Sequence, residues 1–227
     1  MMKSLFYWVL DHTLFSGLFW KLLLLYWAVK IGIVFAKRFL IQRSFTSLVE
    51  KRKKECDQSF QYDVKIDDIS PKLQEEILQS DIVALRELIW TGRVTSEQVL
   101  KFYFSRARTV GRELGAAVEA NFEQALKLAK AADAKIKTTD RVQLPPLTGI
   151  PFSVKENFLM EGMKITHGLE PRLGSDECIC KETCPLIQHL ISQGAIPFVR
   201  SNVPQLLMAA ETDNPVYGAC LNPHNKN

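Results

Sequence analysis

From Leu14 to Ala36 the only polar side chains are those of Ser16, Lys21, Tyr26 and Lys30. As a helix, these twenty-three residues reach roughly 35 Å at about 1.5 Å per residue, enough to cross a hydrocarbon core of about 30 Å. The two lysines count against a span, since each costs about 2.5–3.5 kcal/mol at a bilayer centre. Both lie near enough to an end of the run to reach an interface with their long stems. A helix lying on the membrane surface fits less well. Lys21 and Lys30 are separated by about 900° of helical rotation and stand on opposite faces, whereas a surface helix gathers its charge on one side. A cleaved leader fits less well again, because the apolar run is long and no small-x-small site follows it. A single membrane span is therefore expected.

Charge sets its direction. Residues 1–54 hold ten Lys/Arg and two Asp/Glu, a balance of +8, and the remaining residues hold nineteen and twenty-three, a balance of −4. Lys37, Arg38, Arg43 and the run Lys51 to Lys54 all follow the apolar stretch, and only Lys3 precedes it. The positive-inside rule puts residues 37–227 in the cytosol, on an endomembrane by expectation. The organisation expected is an anchor with its basic flank over 1–54 and one domain over 55–227. The basic run is read as a solvated linker with some attraction to anionic lipid. Five cysteines, an odd number, make no disulfide scaffold. No Cys/His finger spacing and no basic stripe interleaved with aromatics points to nucleic acid.

The rest reads as a helical shell followed by an α/β unit. Ser70 caps a helix from Pro71 to Leu78, and Asp81 caps a second that uses Val83, Leu85, Leu88 and Ile89 and stops at Thr91-Gly92. Thr95-Ser96-Glu97-Gln98 has capping-box spacing ahead of Val99, Phe102, Tyr103 and Ala107. A long amphipathic helix is expected over Val118 to Ile136. Ile150 to Val154, then a helix from Cys184 to Ser192, then Ala195 to Val199 suggest a βαβ unit. Cys178, Cys180, Cys184 and His189 have no common zinc spacing.

Leu147-Thr-Gly-Ile-Pro-Phe-Ser-Val-Lys-Glu-Asn-Phe158 resembles the strand of the amidase signature family that ends in its catalytic lysine. Gly194-Ala-Ile-Pro-Phe-Val-Arg-Ser-Asn-Val-Pro-Gln205, then Asn214-Pro-Val-Tyr-Gly218 and Leu221-Asn-Pro223, are similar to later landmarks of that family, in order. The apolar N-terminus and the Asn202-Val203-Pro204-Gln205 wording are closest to its fatty acid amide hydrolases. The resemblance implies an α/β/α amidase domain and a Ser–Ser–Lys triad, with no cofactor and no metal. Lys155 then takes the place of the general base, a role suited to an amine desolvated at the end of an apolar strand. Leu207 and Met208 take the place of acyl-chain contacts. Glu156 stands where many members carry Asp, to orient the strand end or to face solvent. Ser153 and Ser201 have no nucleophile elbow around them and receive no catalytic role.

Both serines of the triad belong to a Gly/Ser-rich stretch that the resemblance puts just beyond Asn222-Pro223, and no such stretch stands in the 227 residues. The expectation is the N-terminal part of an amidase, unable to hydrolyse amides alone, with unpaired edges on both expected strands. The implied partners are a lipid amide substrate and the membrane. The alternatives are an amidase for soluble amides, or a non-catalytic membrane protein that binds lipid or pairs with a second copy as a homodimer.

Overall fold

A computed structural model describes residues 2–14 and 17–225, in two compact units, Met1–Ser47 and Leu48–Asn227. In the first unit, α1 (Met2–Leu14) precedes the long helix α2 (Gly17–Gln58). Phe15 and Ser16, inside the expected span, lie outside the described residues. Leu22, Leu24, Trp27, Ile31 and Phe35 are all exposed, without one favoured side. A helix apolar all round needs an apolar surrounding. α2 contains a stretch long and apolar enough to cross a membrane, by length and composition.

The basic flank is the first departure from expectation. Lys51 to Lys54 form no linker: α2 runs on through them, and the second unit begins at Leu48 rather than after residue 54. Val49, Arg52 and Cys56 are buried there, while Lys51, Lys53 and Lys54 stay exposed. Spacing explains the split: 49, 52 and 56 recur at three and four residues and share one helix face.

The shell forms as its caps direct. Helix α3 (Pro71–Gln79) starts where the Ser70 side chain accepts the Leu73 N–H. Helix α4 (Ile82–Trp90) starts where Asp81 accepts the Ala84 N–H. Of its expected core positions, Leu85, Leu88 and Ile89 are buried and Val83 is exposed. Helix α5 (Ser96–Arg106) has both arms of the Thr95–Gln98 capping box. A π-helical turn, Ala107–Gly111, continues it.

Next comes β1 (Ala117–Ala120), and only then α6 (Phe122–Thr138). The single helix expected from Val118 is thus a strand followed by a helix. Ala-Val-Glu-Ala carries no strong strand preference of its own, and pairing with a later strand decides it. After β2 (Pro151–Lys155), helix α7 (Pro185–Ser192) crosses to β3 (Ile196–Ser201). Gly194 makes this crossover fit, since a Cβ there would meet the Thr148 Cα at 2.6 Å.

The sheet has the order β1-β3-β2. β3 runs parallel to β2, with Lys155 opposite Ser201, and antiparallel to β1, with Glu119 opposite Arg200. β3 is therefore central rather than an edge, covered by the strand that composition concealed. Phe104 of α5 and Phe122 of α6 pack with ring centroids 4.1 Å apart, joined by Phe60, Ala125, Ala129, Ile196 and Phe198. Val154 packs with Met160 and with Ile187 of α7.

Candidate active site

The βαβ crossover brings the ends of β2 and β3 side by side, the position at which open α/β sheets present their chemistry. Lys155 is the last residue of β2, and its side chain is exposed. That corrects one expectation: the described residues do not desolvate the amine. Ser153 is exposed and Ser201 half-buried.

Glu156 immediately follows, with no solvent exposure, so it has no surface role. Its backbone N–H donates to the Ser201 carbonyl at 3.0 Å. Its carboxylate accepts the N–H of Thr166 at 2.5 Å and of His167 at 3.1 Å, and the Tyr217 hydroxyl at 3.3 Å. His167 has φ 52, and its carbonyl accepts the Leu206 N–H at 2.9 Å. Leu206 and Leu207 follow in the same left-handed region, at φ 52 and 59. Two consecutive non-glycine residues there cost of order 1–3 kcal/mol each, strain that the surrounding bonds must hold. Gly168, at φ 70, allows the close approach, since a Cβ there would lie 2.8 Å from that of Asn214. On this turn Leu207 is 39% and Met208 84% exposed. Lys155, Leu207 and Met208, separated by some fifty residues of sequence, are thus tied to one strand end by a chain of hydrogen bonds.

A second pair of residues closes the same end. The Asn202 amide donates to the carbonyls of Gly115 (3.1 Å) and Gly218 (3.0 Å). Its oxygen accepts from Asn214, whose amide also reaches the Val203 carbonyl. The Asn-Val-Pro and Asn-Pro-Val segments are thereby locked together.

Behind them lies a charge cluster that sequence reasoning did not identify. Arg52 forms two parallel bonds to Glu119, at 2.9 and 2.7 Å. Glu119 Oε2 also accepts from Arg200 at 3.2 Å. Arg200, 1% exposed, donates in addition to the carbonyls of Lys164 and Glu156. Lys164 and Glu55 pair at 2.7 Å. Burial pushes the Tyr217 phenol above its ordinary pKa; the Arg52 charge opposes this and the Glu156 charge adds to it. Arg200 interrupts an apolar strand, a signal that could have been read. Arg52 stands in a run of basic residues and carries none.

Cys178 and Cys180 are buried, Cys184 is half-buried and His189 is exposed. Among the described residues, no group of three His, Cys, Asp or Glu side chains could hold a metal ion.

Residues 98–227 match the model of the Amidase family. The chain belongs to that family. Among curated relatives of this family member, Fatty-acid amide hydrolase 2-B of Danio rerio is 34% identical over 68% of the chain and 30% of the relative. Fatty-acid amide hydrolase 2 of Homo sapiens is 32% identical over 66% of the chain and 29% of the relative. The chain thus spans somewhat under a third of their length. Its structure is similar to one described as a fatty acid amide hydrolase, with TM-score 0.67 and 23% identity over 80% of this chain and 35% of that one. At that identity the likeness speaks for the fold, an α/β amidase architecture with a mixed sheet.

Proposed function

We propose that this amidase-family chain carries the membrane anchor, the base and the acyl-contact turn of a serine amidase for fatty acid amides. The observation that supports it is the tether between Lys155 and the exposed Leu207–Met208 turn through Glu156, His167 and Leu206. A base beside an exposed apolar turn suits an amide with a long acyl chain, and a substrate of that kind partitions into bilayers. The single span, with the catalytic portion cytosolic, places the domain at the substrate's source. No cofactor enters this reading.

In the Ser–Ser–Lys scheme, neutral Lys155 takes a proton from a bridging serine as that serine takes one from the nucleophilic hydroxyl. The nucleophile attacks the amide carbonyl, and the amine leaves with the returned proton. Water, deprotonated along the same path, then cleaves the acyl-enzyme. The exposure of Lys155 bears on what surrounds it in a working enzyme: an amine of this role needs cover from water to be neutral near pH 7.

That same exposure supports a second reading, in which the 227 residues alone are non-catalytic and bind lipid or pair with a further copy. Turnover of a long-chain fatty acid amide by the membrane-inserted protein, supplied with a Gly/Ser-rich stretch that carries both serines, separates the two. The first reading expects Lys155→Ala to lower hydrolysis by about 10²–10⁴-fold with thermal unfolding unchanged. Full turnover in Lys155→Ala would sink the assignment, and no turnover even with both serines supplied would favour the second reading.

A further inference from the structure

Glu156 and Arg200 are both buried, and both act on backbone groups rather than on each other's charge, Arg200 beside Lys155 and Glu156 on the turn at Thr166 and His167. Arg200 donates to the carbonyl of Glu156, one peptide beyond Lys155, and to that of Lys164. Its remaining bond goes to Glu119 at 3.2 Å, which is in turn held by Arg52 of α2. A planar guanidinium can serve three acceptors in fixed directions, which a lysine ammonium on a flexible stem cannot. The strand that carries Lys155 is therefore held by its ladder bonds up to the Glu156 N–H on the Ser201 carbonyl, and beyond that by Arg200 on the Glu156 carbonyl.

Glu156 acts in the other direction. Two backbone N–H groups bound to one buried carboxylate make a charge-assisted clamp on the turn Thr166–Gly168. That turn, through the His167 carbonyl, holds Leu206 in its left-handed conformation. The turn has its own bonds as well, from the Leu207 N–H to the Pro204 carbonyl at 3.0 Å and from the Met208 N–H to the Gln205 carbonyl at 3.2 Å, and the clamp adds the link that ties its strained residues to the strand end.

We propose that Glu156 and Arg200 are positioning residues: Arg200 fixes the strand end from which Lys155 projects, and Glu156 fixes the turn carrying Leu207 and Met208, so the base and the acyl contacts keep one separation. This rests on the roles assigned to Lys155, Leu207 and Met208 above. A displacement of about 1 Å between reacting groups costs an enzyme about a hundredfold, so a rigid link between them is consequential.

Hydrogen exchange on the full chain in lipid nanodiscs tests it. Glu156→Gln keeps the shape and one acceptor but loses the charge and the second acceptor. The amides of Thr166, His167 and Leu206 should exchange about tenfold faster, the loss of one charge-assisted bond, while those of α6 do not change. Unchanged exchange at the three amides would overturn the proposal. So would an equal acceleration throughout the unit, which is the mark of a general stability role. If Glu156→Gln does not fold, Arg200→Lys carries the test. It keeps the charge opposite Glu119, and the Glu156 amide should exchange faster while α6 again stays protected; no change there would equally refute the link.

Activity keeps this separate from the assignment it rests on. Where hydrolysis is measurable, Glu156→Gln should lower kcat/KM for long-chain amides about tenfold more than for short-chain ones. Equal losses for both would deny the acyl-turn link. Full turnover in Lys155→Ala would remove the base assignment while leaving the exchange result standing.

Discussion

Leu24 and Arg52 stand on the same helix, and each sits where ordinary burial rules would put the other. Leu24 is 69% exposed and Arg52 3%. Around Leu24 the apolar side chains point outward on all sides, which is stable only against lipid or another apolar surface. Around Arg52 the helix faces Glu119 and Tyr217, with Glu55 three residues on along the same helix, and a buried guanidinium persists because these partners are placed for it. One element thus presents two surfaces, apolar and outward around Leu24, charged and buried around Arg52. Burial is a statement about the surroundings, and the two stretches of this helix belong to different compact units, which divide at Ser47.

The comparison breaks most severely at the buried end. Arg52→Ala leaves Glu119 with only Arg200, and removing one partner of a buried pair costs about 3–5 kcal/mol. Urea unfolding of the protein in detergent should show the midpoint falling accordingly with the slope unchanged. A loss below about 1 kcal/mol would mean the pair behaves as a surface ion pair. At the exposed end the expected effect is somewhat smaller. Leu24→Lys adds a third lysine near the centre of the run and should disfavour insertion by about 2.5–3.5 kcal/mol. Carbonate extraction should then release a larger soluble fraction, with the unfolding of the second unit unaltered. Unchanged membrane retention would replace the span with an interfacial helix.

How much of this was legible follows from whether a signal is local. The caps at Ser70, Asp81 and Thr95 act within four residues, and all three helices start there. Lys155 could be placed at a strand end because its apolar run and the crossover helix lie in sequence order. β1 could not, since Ala117 to Ala120 becomes a strand only by pairing with residues about eighty positions later. The charge cluster fails for the same reason: Arg52, Glu119, Glu156 and Arg200 come from four stretches of the chain, and although Arg200 stands out within its apolar strand, no single segment shows the partners that meet it. The left-handed turn at Leu206 and Leu207 was equally hidden, because leucine carries no preference for that conformation and distant bonds impose it.

Tyr217 offers the finest test of whether the buried end is sealed. Its hydroxyl lies 3.3 Å from Glu156 and 3.5 Å from Arg52, with the Arg52 guanidinium 5.9 Å from the ring centre. Burial raises its pKa in the folded protein, so the neutral phenol is favoured by folding. A group with a raised folded pKa gives stability that is complete below the unfolded value of about 10 and is lost as pH climbs above it. From that residue alone, the loss approaches about 1.4 kcal/mol per pH unit. Tyr62 and Tyr103 are raised by burial too, so the informative quantity is the difference between the native chain and Tyr217→Phe, measured by denaturant unfolding from pH 9 to 11. The variant should lose stability more slowly with rising pH. Parallel curves would show the phenol ionising as freely in the folded state as in the unfolded one. Water would then reach Glu156 and Arg52, and their cluster would belong with the exposed lysines of α2 rather than with the core.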